Sequence, residues 1–227
     1  ILGIAGISGC GQKELLEAIA GLQPTEHGSI RYIEDDGTPE ELIGKDPTAI
    51  SGMGVSLSFV PEDRLGMGLV GSMDLTDNMM LRSFRKGKSW FTNRREPKRL
   101  AEKVVKDLEV NTPGVSTPVR LLSGGNVQKV LVGREIAAAP TVLLTAYAVR
   151  GLDINASYTI YDLINQQKKA GVAVVFVGED LDVLLELCDR ILVLCGGKVS
   201  GIVEKPDSSQ KPEVGMMMTR LGGKKNG

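Results

Sequence analysis

The chain has 227 residues, of which 42% are hydrophobic and 24% are charged, and its formal net charge is -1 at pH 7. A chain of this length and composition can bury a sizeable core, which excludes disorder for most of it. The net charge gives no global reason to expect binding to nucleic acid or to an anionic membrane surface.

The three cysteines, Cys10, Cys188 and Cys195, form no CxxC pair and are accompanied by one histidine. We therefore expect neither a disulfide framework nor a zinc cluster, and the set fits a reducing cytosol. No apolar run approaches the ~20 residues of a spanning helix. The chain opens at Ile1 inside an apolar, strand-like run, which predicts a fragment of a longer polypeptide and no signal peptide.

Short apolar strands alternate with amphipathic helices along most of the chain. Strands are predicted over residues 1–5, 29–33, 55–60, 142–145, 172–177, 191–194 and, at an edge, 200–203. Helices are predicted over residues 12–21, 76–84, 96–108, 125–138, 155–170 and 180–187. This alternation predicts an α/β fold with a mainly parallel sheet and helices on both faces.

A helical, basic segment interrupts the alternation. The sequence predicts a helical subdomain over 75–125, an α/β core formed by 1–74 and 126–205, and a C-terminal tail over 206–227. The basic stretch from Arg82 to Arg99 contains few aromatic residues, among them the adjacent pair Trp90 and Phe91. Because the net charge is near zero, a solvated face or a protein-facing surface explains this stretch better than nucleic-acid binding.

The first glycine-rich motif follows the first predicted strand and opens a helix. Gly6, Ser8, Gly9 and Gly11 are spaced as in a phosphate-binding loop, where backbone N–H groups point into one concavity. A working loop then needs Lys and Ser or Thr for the phosphates and Mg²⁺, but this chain has Gln12 and Lys13. One step along a helix turns a side chain by ~100°, so Lys13 does not simply replace that lysine. An ordinary glycine turn without ligand remains an alternative for this stretch.

The second motif, Leu-Ser-Gly-Gly-Asn-Val-Gln-Lys over residues 122–129, precedes a long predicted helix. Ser123 can cap that helix, and Gly124 and Gly125 expose backbone N–H groups at its positive end. The motif therefore predicts a second anion-binding site, and a plain helix cap is the alternative.

These motifs together resemble the ATP-binding domain of an ABC transporter. Residues 122–129 match the signature motif, with Ser123, Gly124, Gly125 and Gln128, and residues 150–153, ending at Asp153, match the D-loop. More closely, the chain resembles the second, C-terminal nucleotide-binding half of bacterial simple-sugar and nucleoside importer ATPase subunits. Those halves carry Gly-x-Gly-Gln, Val-Pro-Glu-Asp-Arg and Glu-Asp-Leu-Asp, which stand here at 9–12, 60–64 and 179–182.

The chain departs from active members of this family at the positions that handle metal, water and phosphate. The resemblance places Gln12 and Lys13 at the positions of the phosphate-loop Lys and Ser/Thr, and Glu62 at the position of the Q-loop Gln. Ala146 stands at the position of the metal-binding Asp, Tyr147 at that of the catalytic Glu and Glu179 at that of the switch His. Phosphoryl transfer depends on positioning and on stabilising negative charge, so these changes imply a degenerate ATP site. Tyr147 is interpreted as a core or interface aromatic.

The intact signature implies a role in a partner's ATP site, because two such domains pack head to tail in this family. ATP and Mg²⁺ are then expected mainly at the first half of the same polypeptide. The other expected partners are transmembrane permease subunits and, indirectly, a solute-binding protein, at the cytoplasmic face of a bacterial plasma membrane. Two alternatives stay open: a domain that hydrolyses ATP alone, and a non-transport ABC protein acting on nucleic acid.

Overall fold

The computed structural model describes residues 1–34, 36–83 and 93–220. The predicted end of a helix at Phe84, the centre of the basic stretch with Trp90 and Phe91, and the last residues of the tail lie outside the described residues.

The described part of the chain alternates strands and helices, as predicted. The strands are β1 (Leu2–Gly6), β2 (Arg31–Ile33), β3 (Pro39–Glu41), β4 (Leu57–Val60), β5 (Val142–Ala146), β6 (Ala173–Val177), β7 (Arg190–Cys195) and β8 (Lys198–Glu204). The α-helices are α1 (Gln12–Ile19), α2 (Pro47–Gly52), α3 (Leu75–Met80), α4 (Arg95–Asp107), α5 (Gly124–Ala137), α6 (Ile154–Lys169), α7 (Leu181–Leu187) and α8 (Lys211–Thr219). A π-helical turn, Arg64–Gly68, follows β4.

Within the described residues, six strands form one sheet in the order β4-β5-β6-β1-β7-β8, and β2 pairs with β3 in a separate hairpin. All neighbours in the large sheet are parallel except β7 and β8. The mainly parallel sheet and the edge position of the last strand confirm the prediction from the sequence.

The central strand β5 shows why helices cover both faces of the sheet. All of its residues are buried, and successive side chains point to opposite faces. Leu143 packs in one cluster with Leu131 and Ile160, whereas Leu144 packs in the other with Leu16 and Ile50. Helices α5 and α6 therefore cover one face and α1 and α2 the other.

The parallel arrangement brings several loops to one edge of the sheet. Strands β1, β4, β5 and β6 all run in the same direction and end at Gly6, Val60, Ala146 and Val177. In open α/β sheets, ligands bind beside the carboxyl ends of such strands. The residues that follow these four strand ends are therefore positioned to form a site.

The structure adds elements that the sequence analysis did not predict. Asp46 caps α2 by accepting a hydrogen bond from the Ala49 amide at 2.8 Å, and Pro47 follows at the first helical position. Both signals are visible in the sequence.

The segment predicted as a C-terminal tail contains a packed helix. Helix α8 includes Val214, which is fully buried in the main core cluster, and Met217 and Met218 pack against the same cluster. These residues recur at i, i+3 and i+4, so one apolar stripe attaches residues 211–219 to the body of the domain.

A buried carboxylate joins helix α5 to strand β4. Glu135 is 2% exposed, and its Oε1 accepts a hydrogen bond from Arg134 Nε at 2.9 Å. Its Oε2 accepts from the Phe59 backbone amide at 3.3 Å and lies 3.4 Å from Arg82 Nη2. Arg134 in turn donates to the Gly68 carbonyl oxygen at 2.6 Å. The network therefore connects α5, β4, the π-helical turn and the end of α3.

Replacing this carboxylate should strongly destabilise the domain. In Glu135→Gln, Arg134 stays buried without its negative partner, and breaking a buried pair in this way costs about 3–5 kcal/mol of unfolding free energy. The matched control is Glu102→Gln, since Glu102 is exposed on α4 and lies 3.8 Å from Lys98 one turn away. That change should cost less than about 0.5 kcal/mol. Urea unfolding followed by circular dichroism measures both, and equal losses would contradict the role given to Glu135.

Two helical glycines should respond oppositely to alanine. A Cβ on Gly133 of α5 would lie 2.6 Å from Val104 Cγ1, whereas a Cβ on Gly215 of α8 would meet no atom within 4 Å. Gly133→Ala should therefore destabilise the domain by about 1–3 kcal/mol through overpacking. Gly215→Ala should stabilise it by about 0.5–1 kcal/mol, because glycine is a poor helix former. A melting temperature that does not fall in Gly133→Ala would show that α4 and α5 do not pack as described.

Candidate functional site

The predicted phosphate loop lies between β1 and α1, at the edge identified above. Its turn is closed by a hydrogen bond from the Cys10 amide to the Ile7 carbonyl oxygen at 3.1 Å. Gly9 and Gly11 adopt positive φ angles of 83° and 99°, a backbone conformation that glycine reaches without strain. Ser8 and Gly9 are exposed.

Gln12 does not point out of this loop. Its side chain is 2% exposed, and its Nε2 donates to the Ile7 carbonyl oxygen at 3.0 Å. A Cβ on Gly6 would lie 2.7 Å from the same Nε2, so the amide lies against the start of the loop. The amide therefore fills the inside of the loop with a neutral, already bonded group.

Lys13 points away from the loop, as the helical rotation predicts. Its side chain is 59% exposed, and its Nζ lies 3.7 Å from Glu17 on the next turn. Lys13 and Glu17 line a cavity of about 380 Å³ together with Glu62, Asp63 and Ala146. The structure thus brings the loop lysine and the predicted Q-loop glutamate to one cavity without an ion pair between them.

The second motif forms the exposed start of α5. Ser123 is the N-cap, and its Oγ accepts from the Asn126 backbone amide at 3.5 Å and from Asn126 Nδ2 at 2.8 Å. Ser123 and Gly124 are exposed, and Gly125 is half-buried. Helix N-termini with such open backbone donors favour anions.

Gln128, which the signature resemblance grouped with Ser123, lies in a different environment. It is 1% exposed, and in the described part of the chain its Nε2 has no hydrogen-bond partner. The residue therefore points inward rather than sharing the exposed surface of Ser123 and Gly124.

Arg150 connects two of the predicted site residues. Its Nη1 contacts Glu62 Oε1, and its Nε lies 3.0 Å from Glu179 Oε1. Glu62 follows β4, Arg150 follows β5 and Glu179 follows β6. The predicted Q-loop and switch positions therefore meet through an arginine that belongs to the predicted D-loop motif but was not among the predicted site residues.

Tyr147 lies beside this group. Its ring centroid is 5.7 Å from the Arg150 guanidinium carbon, in a cation–π arrangement. Burial raises the pKa of Tyr147 above its ordinary value, and the negative charges of Glu62 and Glu179 add to the effect. The phenol stays neutral, and the half-buried ring supports the interpretation of Tyr147 as a packing aromatic. Tyr147, Arg150 and Glu179 line a cavity of about 210 Å³.

Arg64 links this group to the start of α5. Its Nη1 donates to the Gly124 carbonyl oxygen at 3.2 Å, and its Nη2 donates to the Arg150 carbonyl oxygen. Partial burial lowers the pKa of Arg64.

Asp153, the last residue of the predicted D-loop, caps α6 by accepting a hydrogen bond from the Ala156 amide at 2.9 Å. The sequence signal that could have revealed Arg64 and Arg150 is their place in the two motifs that follow adjacent strands, at 60–64 and 150–153.

No group of three or more histidines, cysteines and acidic residues that could hold a metal ion occurs within residues 1–34, 36–83 and 93–220. The helices described there are also all too short or too polar to cross a bilayer.

The chain matches a family model and several known proteins. The family model described as "ABC transporter" matches residues 1–145. The xylose import ATP-binding protein XylG of Moorella thermoacetica is 35% identical over 224 residues, which is 99% of this chain and 43% of that protein. The guanosine import ATP-binding protein NupO of Bacillus subtilis is 33% identical over 234 residues, covering 100% of this chain and 44% of that protein. The chain thus spans less than half the length of these relatives.

The fold also matches solved structures. A dimeric post-hydrolysis structure of the ATP-binding cassette MJ0796 bound to ADP and Pi superposes with a TM-score of 0.75, at 22% identity, over 90% of this chain and 85% of that chain. The match confirms the predicted α/β P-loop fold. From the family model and this fold, the chain belongs to the ABC transporter family and has the architecture of its ATP-binding cassettes.

Proposed function

We propose that the chain is the second nucleotide-binding half of a fused importer ATPase subunit, for a simple sugar or a nucleoside. The matched relatives are named as import ATP-binding proteins for such solutes, and the chain corresponds to 43% or 44% of their length. In this proposal its own ATP site is degenerate, and its signature motif completes the ATP site of the first half.

The phosphate loop does not fit Mg²⁺-ATP. The buried Gln12 amide already bonds the loop from inside, and Lys13 extends toward Glu17. Ala146 offers no metal ligand, and Tyr147 is a neutral phenol next to Arg150. Glu62 and Glu179 add negative charge at the edge where phosphates would approach, although Arg150 neutralises part of it. No catalytic step is assigned to this loop.

The start of α5 does fit an anion presented by another nucleotide-binding domain. Ser123 and Gly124 are exposed, and the helix behind them is fixed by the buried Glu135 network. The single observation that carries the proposal is this contrast between a filled loop at α1 and an open helix start at α5. Ser123 and the amides of Gly124 and Gly125 would face the γ-phosphate of ATP held by the first half. ATP and Mg²⁺ supply the hydrolysis chemistry at that partner site.

The remaining partners and the location follow from the same proposal. The subunit would act peripherally at the cytoplasmic face of a bacterial plasma membrane, with permease subunits as direct partners and a solute-binding protein as an indirect one. Nucleic acid is not a partner in this proposal. The helical subdomain over 75–125 and the segment after β4 would face the permease.

Nucleotide binding by the 227-residue chain alone should be weak. Calorimetry with Mg-ATP should show no site with a submicromolar dissociation constant, which corresponds to about -8 kcal/mol. Phosphate release should stay at background, and Gln12→Lys alone should not raise it, because the metal and water functions are still missing. Measurable hydrolysis by Gln12→Lys would show that the site is misassigned and would favour a domain active by itself.

Damage to the signature should appear only in the assembled transporter. Ser123→Arg places a bulky side chain where the partner's phosphate would approach, so ATP turnover should fall by roughly 10³-fold, as after loss of a key electrostatic group. Loss of the cap should cost about 0.5–2 kcal/mol, which leaves the isolated domain folded by circular dichroism. Gln12→Ala should reduce turnover far less.

The matched control is Ser51→Arg, because Ser51 is an exposed serine on α2. It should leave turnover close to that of the unmodified transporter. Equal harm from Ser123→Arg and Gln12→Ala, or full turnover in Ser123→Arg, would exclude a role of this domain in the partner's site.

A further inference from the structure

Residues 62 and 64, which are two positions apart, contact opposite ends of Arg150. Glu62 binds the Arg150 guanidinium, and Arg64 binds the Arg150 backbone carbonyl oxygen. The same Arg64 side chain reaches the Gly124 carbonyl oxygen at the first turn of α5. A Cβ on Gly124 would lie 3.1 Å from Arg64 Nη1, so a glycine here permits the close approach.

The second arginine extends the contact to another segment. Arg150 Nε lies 3.0 Å from Glu179 Oε1, so one guanidinium holds two carboxylates from two different loops. Two carboxylates this near to each other would repel without the cation between them. Arg64 and Arg150 therefore join the loops after β4, β5 and β6 to the start of α5.

Each of these contacts alone would stabilise the chain little, because exposed ion pairs are weak. Their arrangement matters more than their number. Arg64 is a half-buried, planar donor that bonds two backbone carbonyl groups with different nitrogens, which fixes direction as well as distance. Loops are otherwise the least stable parts of a fold, so cross-links of this kind mainly suppress local opening.

We propose that Arg64 and Arg150 form a clamp that holds the D-loop and the signature motif in one fixed arrangement without nucleotide in this domain. Arg64 is a positioning residue: it acts on Gly124, next to Ser123, and on Arg150, three residues before Asp153. The consequence for turnover rests on the proposed function, since it requires that the signature serve the partner's ATP. The clamp itself does not depend on that function.

Hydrogen exchange of the nucleotide-free chain tests the clamp directly. In Arg64→Met, amides of residues 124–128 and 150–153 should exchange about tenfold faster, in line with the loss of hydrogen bonds to a charged donor. Arg64→Lys keeps the charge without the planar fork, and its exchange should lie between those of wild type and Arg64→Met. The control is Arg190→Met, since Arg190 also pairs with a carboxylate, Glu204, at 2.7 Å, but on strands β7 and β8. It should leave both segments unchanged.

Two outcomes overturn the clamp. The first is that the amides of residues 124–128 and 150–153 exchange at the same rate in Arg64→Met as in Arg190→Met. The other, which applies if Arg64→Met does not fold, is exchange in Arg64→Lys that equals wild type at both segments. Unchanged melting temperature with faster exchange supports positioning over general stabilisation.

Kinetics of the assembled transporter separate the clamp from the proposed function. Arg64→Met should lower kcat while the KM for ATP changes less than about twofold, because ATP is bound by the partner's loop. If Ser123→Arg leaves turnover intact, the proposed function fails, whereas the exchange result still decides the clamp. If Ser123→Arg abolishes turnover and exchange is unchanged in both Arg64 variants, the clamp alone fails.

Discussion

The buried carboxylate of Glu135 is the constraint on which the arrangement of the site depends. It lies near the end of α5, where it accepts from Arg134 and from the backbone of β4. Helix α5 begins at the exposed motif and ends at this anchor, so the position of Ser123 is determined relative to the sheet. Because an α-helix is a rigid rod with a fixed rise per residue, fixing the position of one end also fixes the position of the other end. The position of the exposed Ser123 motif therefore depends on the buried Arg134–Glu135 pair, although the pair does not contact the motif.

The two glycine-rich motifs are physically similar but end in opposite states. Both place glycines at the start of a helix, where free amides and the helix dipole favour an anion. In the first, the buried Gln12 side chain occupies the inside of the loop. In the second, the Ser123 oxygen is bonded by Asn126, and the glycine amides beside it stay open. The sequence pattern predicts an anion-binding site at both motifs. The placement of the side chains in the structure distinguishes the two.

The sequence predicted most of the fold because the core strands carry strong, simple patterns. Strand β5 reads as an uninterrupted apolar run, and the structure buries all of it between two helical layers. Helix α8 was not predicted, because its polar flanks and its glycine weaken a stripe of only three apolar residues. Hairpin strand β3, with the sequence Pro-Glu-Glu, has no apolar alternation that could reveal it.

The sequence predicted where along the chain the site residues stand, but not which of them contact each other. Motif order located Glu62 and Glu179, and their meeting depends on Arg150, which reaches both only after three strands align in parallel. At an edge where phosphates would approach in the proposed function, each of the two acidic residues looks unfavourable when it is considered alone. Together with the arginine between them, they form an ion-pair network inside the domain in which part of their negative charge is neutralised. Under the proposed function, the two acidic residues and the arginine therefore act as one unit, in which an internal ion-pair network takes the place of contacts to a bound nucleotide.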